Sequence, residues 1–108
     1  GEYDLVTNIL PRSYPAGQSV EVIRASTFEK VYEKMSRPDH FEHVTKYYYE
    51  HSDEFRIKNF SNDKDLSSHR LVVDTPEDLK RIEKIIGSMT RPHYEYSLDD
   101  FIELYPSP

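Results

Sequence analysis

The sequence has no cysteine and no tryptophan, only three glycines among 108 residues, and fewer basic than acidic side chains. Without cysteine there is neither a disulfide framework nor a thiolate metal site, which fits a reducing, cytoplasmic setting. With glycine at positions 1, 17 and 87 alone, no glycine-rich loop is present to cradle a phosphate. Fourteen Lys and Arg against 20 Asp and Glu leave a formal charge of −6, opposite in sign to the footprint of a nucleic-acid binder. No apolar run exceeds three residues, far below the roughly 18 needed to span a membrane, and no apolar signal region opens the chain. Neither the H-E-x-x-H zinc pattern nor a nucleophile-elbow pattern occurs. Nucleic acid and membrane are therefore not among the expected partners.

Leu, Ile, Val and Phe make up 26 of the 108 residues, above the roughly 20% below which highly charged chains stay disordered. Nine tyrosines and five phenylalanines add bulk, so the chain can pack a core, though a thin one. Its length allows one small domain or part of a larger one.

Along the chain, residues 4–10 read as a short strand and 11–18, with Pro11, Pro15 and Gly17, as a loop. Val20–Ile23 alternates as a second strand. Ser26 and Glu29 form a capping-box pattern, ahead of a helical stripe of Phe28, Val31, Tyr32 and Met35. Arg37-Pro38 stops that helix, and Asp39 is placed to cap the next. A single helix is expected over about 40–51, with Phe41, Val44 and Tyr48 on its inner face. Residues 55–60 alternate as a half-buried strand and 61–68 form a polar loop. Leu71–Val73 is a continuous apolar run, the pattern of a strand covered on both faces. Thr75, Pro76, Glu77 and Asp78 supply an N-cap, a first-position proline and first-turn acids. The helix they start carries Leu79, Ile82, Ile85 and Ile86 as its buried stripe and stops near Gly87. A last helix begins at Ser97 with Leu98, Phe101, Ile102 and Tyr105. The class is α/β or α+β.

Three groups could carry chemistry. Asp74 follows an apolar strand and precedes a capped helix, where open α/β sheets place ligand groups. It is a sensible Mg²⁺ ligand, since Mg²⁺ takes one or two carboxylates and completes its shell with water and phosphate; it also suits a purely capping role. Glu42 and His43 lie beside the Phe41 stripe, and His40 with His43 has the i, i+3 spacing of a metal pair but lacks a third ligand. Tyr47-Tyr48-Tyr49 resembles a stacking platform only superficially. Three successive side chains on a helix point in three directions, so Tyr48 is expected to pack inward and the other two to cover neighbouring loops with their hydroxyls wet.

Four segments in order, Asp4–Asn8, Tyr14–Val22, Glu42–Tyr47 and Leu71–Leu79, resemble the sugar-activating cytidylyltransferases. They are most similar to the branch of spore-coat polysaccharide biosynthesis and to the CMP-KDO and CMP-sialic acid synthetases. The likeness runs from about residue 4 to 86. Gln18 and Ser19 stand where Leu-Asp is usual and Lys46 where Pro is common, departures that bear on sugar specificity. The resemblance implies the carboxyl-terminal portion of a Rossmann-like, nucleotide-diphospho-sugar transferase-like domain over 1–90, with a terminal helix and tail over 91–108. It implies transfer of CMP from CTP to a sugar, with Mg²⁺ in the complete enzyme, Asp74 as a metal ligand, and Asn8, Gln18, Glu21, Glu42 and His43 lining the sugar side. Lacking the triphosphate loop, these residues alone are expected to be inactive, and an edge left by missing strands implies a homo-oligomer. The alternative is a non-catalytic binding or oligomerisation module, which the same missing loop and the many tyrosines also suit.

Overall fold

The computed structural model describes residues 2–106. Three short strands, β1 (Leu5–Thr7), β2 (Glu21–Ile23) and β3 (Ile57–Asn59), form a sheet in the order β2-β1-β3. β1 runs antiparallel to β2 and parallel to β3. Leu5 pairs with Ile23 and Ile57, and Thr7 with Glu21 and Asn59. Because side chains alternate along a strand, these six residues share one face, and Val6, Val22 and Lys58 share the other.

The first face is covered by α1 (Ala25–Lys34) and α3 (Lys46–Glu50), with α2 (Pro38–Glu42) between them in sequence. Leu5, Val31, Met35, Tyr47 and Tyr48 make the core, and Ile23, Phe28, Tyr49, Phe55 and Ile57 pack against it. Tyr48 and Phe55 meet with ring centroids 4.7 Å apart. On the opposite face Val22 stays 61% exposed.

α1 starts two residues before the expected box. Its N-cap is Arg24, without a side-chain cap, because Arg24 N–H donates to the Asp4 carbonyl and the Thr27 hydroxyl to the Asp4 carboxylate. Ser26 thus lies inside the helix. The expected helix over 40–51 is two helices, broken at His43, whose φ of −120° and ψ of 85° leave helical geometry. In a continuous helix residues 40 and 50 would sit about 15 Å apart along the axis. The break instead lets buried His40 meet Glu50 at 2.8 Å and turns both Tyr47 and Tyr48 inward. It also leaves Phe41 and Val44 about half exposed rather than facing the core with Tyr48. Asp39 does not cap α2. The cap residue is Arg37, and the Asp39 carboxylate receives Arg37 and Lys46.

Leu71–Val73 is not a strand. Its one ladder contact is a parallel bridge between Arg70 and Ala16, where Ala16 N–H donates to the His69 carbonyl and Leu71 N–H to the Ala16 carbonyl. No further ladder pairing forms there among the described residues, so an apolar, strand-like sequence stays irregular and Val73 is exposed. Gly17 belongs to this junction: its φ is +97°, and a Cβ there would lie 2.2 Å from the Leu71 carbonyl oxygen.

α4 (Pro76–Gly87) and α5 (Leu98–Glu103) start as expected. Both carry reciprocal capping boxes, Thr75 with Asp78 and Ser97 with Asp100. Ile85 and Leu66 are the buried apolar side chains of this end; of the stripe expected to be buried on α4, Leu79 and Ile86 stay 48% and 58% exposed, because few described residues pack over that face. α5 docks through Tyr105, whose hydroxyl accepts from Arg70 N–H at 3.0 Å and whose ring meets His69 at 4.7 Å. The radius of gyration is 17.0 Å and the extents 48 × 29 × 24 Å, whereas a compact chain of this length has about 13 Å. No described helix is long and apolar enough to cross a membrane.

Candidate functional site

Asn8, Gln18 and Glu21 come together at the carboxyl end of β1. Asn8 is buried, and its amide clamps the loop entering β2: Nδ2 donates to the Gln18 carbonyl at 2.8 Å, and Val20 N–H donates to Oδ1 at 2.9 Å. Those bonds use the Asn8 side chain to shape the loop, which presents Gln18 to solvent.

Glu21 opens β2 opposite Thr7 and is held by two residues absent from the sequence-based set. The Tyr49 hydroxyl donates to Glu21 Oε2 at 2.5 Å. Tyr49 has one proton and lies 2.9 Å from Thr7 Oγ1, so the Thr7 hydroxyl donates to it in turn. Thr7 Oγ1 accepts from Ile9 N–H at 3.4 Å. Each hydroxyl in this chain accepts once and donates once, and the second Glu21 oxygen takes no hydrogen bond among the described residues. Burial, followed by the hydrogen bond to Glu21, pushes the Tyr49 phenol well above its ordinary value and keeps it a neutral donor. The alternation of β1 places Thr7 beside Leu5 on the inner face, a readable signal; the reach of Tyr49 across 42 residues had none.

Glu42 and His43 lie at the end of α2, both exposed and 3.9 Å apart. Among the described contacts, none joins them to Asn8, Gln18 or Glu21. His40 is not a metal ligand in waiting. Its Nδ1 accepts from Ser36 N–H and its Nε2 meets Glu50 Oε1, so both ring nitrogens are engaged. Arg37 and His40 together hold the Glu50 carboxyl below its usual range.

At the start of α4 two aspartates four residues apart have opposite fates. Asp78 is buried and saturated. Arg70 grips it with Nε on Oδ1 at 3.0 Å and Nη2 on Oδ2 at 2.9 Å, Arg81 Nη1 adds 2.7 Å, and the N–H groups of Asp74 and Thr75 complete Oδ2. The two guanidiniums drive its carboxyl far below the ordinary range. Asp74 projects outward, its side chain 68% exposed, with Arg70 Nη2 at 3.4 Å. No group of three or more His, Cys, Asp or Glu able to hold a metal occurs among the described residues. Asp74 can offer one exposed carboxylate, whereas Asp78, saturated by two guanidiniums, can offer none.

No family model and no curated protein matches the chain. Its fold is similar to a solved cytidylyltransferase from Leptospira borgpetersenii serovar Hardjo-bovis (strain JB197), with a TM-score of 0.87 and 29% sequence identity. The match covers 96% of this chain and 43% of that one, so this chain spans less than half of that protein's length. At the level of class, the likeness supports a nucleotidyltransferase-like fold, mixed α/β with a small sheet. More narrowly, it supports the cytidylyltransferase family.

Proposed function

We propose that this chain is part of a CMP-sugar synthetase-like nucleotidyltransferase that transfers CMP from CTP to a sugar for surface polysaccharide, of the spore-coat type. The reading is carried by the likeness to a cytidylyltransferase over almost the whole chain. The reaction is attack of a sugar hydroxyl on the α-phosphate of CTP, with pyrophosphate leaving. Glu21, fixed by Tyr49, and Gln18, presented by Asn8, hold the sugar by its hydroxyls. Glu42 and His43 contribute from the end of α2. Asp74 is the carboxylate offered to Mg²⁺, which when bound neutralises phosphate charge. Orientation of the hydroxyl by these side chains is the protein's own share of the rate.

The 108 residues alone do not turn over, because they contain no glycine-rich triphosphate loop. Pyrophosphate release from CTP, Mg²⁺ and a panel of acidic and modified sugars tests both points. The expected result is none for these residues alone, and turnover for a longer protein containing them that Asp74→Asn lowers at least about a hundredfold. Full activity of that variant removes Asp74 from the metal site.

A second reading, a binding or oligomerisation module, is favoured by one observation: Val22, on edge strand β2, stands 61% exposed on the outer sheet face. Light scattering on the purified chain separates the two: a stable homo-oligomer with no nucleotide affinity supports the module, and a monomer that gains activity in the longer protein supports the transferase.

A further inference from the structure

A groove of about 690 Å³ opens between the loop before α4, α4 itself and α5, and none of the residues lining it is one assigned above to CMP transfer. The chain as a whole is acidic, yet this groove gathers Lys80, Arg81 and Lys84 against one carboxylate, Glu77. Lys80 and Lys84 stand one turn apart on α4, and neither makes an ion pair among the described residues. Like charges at that spacing repel, so an anion between them relieves a cost. Arg81 is preorganised: Nη1 is fixed on Asp78 at 2.7 Å and its guanidinium carbon lies 5.7 Å from the centre of the Tyr105 ring. Its other nitrogens remain available as donors.

Beside Arg81, Ile102 and Tyr105 give the groove an apolar, aromatic side. Tyr105 is locked by Arg70 N–H on its hydroxyl and by the His69 ring at its edge. A cationic rim beside an aromatic side suits an ester with a charged phosphate and a flatter, less polar body, and the volume lies within the roughly 300–1,000 Å³ of small-molecule sites. We propose that this groove binds a phosphate monoester, with Lys80, Arg81 and Lys84 on the phosphate and Tyr105 against the body.

Titration of the ¹⁵N-labelled chain with inorganic phosphate, glucose 1-phosphate and CMP tests this. The expected result is saturable shifts on α4 and at Tyr105, with at least one ester tighter than inorganic phosphate; the tighter ester identifies a sugar or a nucleotide source. Both lysines are exposed, so the Lys80→Ala/Lys84→Ala variant folds, and it weakens binding at least about tenfold. Lys58→Ala, an exposed lysine on the sheet, leaves it unchanged. No saturable shift by about 10 mM ligand, or equal binding by the double variant, overturns the proposal. CMP shifts confined to Asn8, Gln18 and Glu21 overturn it too, while leaving the cytidylyl-transfer reading intact.

Discussion

Tyr48 is wholly enclosed, yet its hydroxyl meets no hydrogen-bond partner among the described residues. A buried hydroxyl without a partner loses its hydration for nothing in return. Tyr48→Phe keeps the ring against Phe55 and removes only that oxygen, so chemical denaturation should find the variant more stable by about 1 kcal/mol. A loss of stability would show that the hydroxyl is bonded in solution. Inward packing of Tyr48 was readable from helical spacing, but Tyr47, expected to cover a neighbouring loop, is buried as well. Asn8 shows the same limit. Its sequence context marks it for a site, while only the fold reveals that both ends of its amide are occupied by the backbone at 18 and 20.

At the scale of elements, α4 is the most legible part of the chain. Thr75-Pro76-Glu77-Asp78 carries every local start signal, and the capping box forms as those residues dictate. Thr75→Ala removes the oxygen that accepts from Asp78 N–H at 3.1 Å. It should cost about 1 kcal/mol, while Thr75→Ser restores most of the loss. Equal melting temperatures for Ala and wild type would mean that Asp78 alone holds the helix end. Ser26 and Glu29 have the same spacing but fail to cap. Long-range bonds from Asp4 to Arg24 and Thr27 start α1 earlier and outweigh a local pattern. Leu71–Val73 fails for a complementary reason: a strand needs a neighbour, and the described residues supply one bridge.

Across the whole molecule, carboxylates held by partners tie the elongated chain together. Backbone N–H of Arg56 and the Thr27 hydroxyl lower Asp4, Arg37 and Lys46 lower Asp39, Arg37 and His40 lower Glu50, and Arg70 and Arg81 lower Asp78. Each is depressed on folding, so the unfolded chain takes up protons first as pH falls. Their stabilisation is complete above the ordinary values of 3.8 for Asp and 4.5 for Glu and is lost as pH drops through the lower folded values. Thermal denaturation across an acid series should therefore show melting temperature falling below pH 4.5, from a plateau above it. Asp78→Asn should melt lower on the plateau and lose less on the acid side. A parallel fall in both proteins would deny Asp78 that role.

Spacing, caps and punctuation, all interactions within a few residues, determined α4, α5, the loop at 11–18 and the short strands. They also singled out Asp74 as a carboxylate at the edge of a capped helix. Tertiary structure alone decided what depends on distant partners. Arg70 takes Asp78 out of reach and leaves Asp74 exposed. The helix breaks at 43–45 so that His40 can meet Glu50. Tyr49 and Thr7, 42 residues apart, fix Glu21 from a direction no local pattern records. Periodicity says which way a side chain faces; only packing says what it meets there.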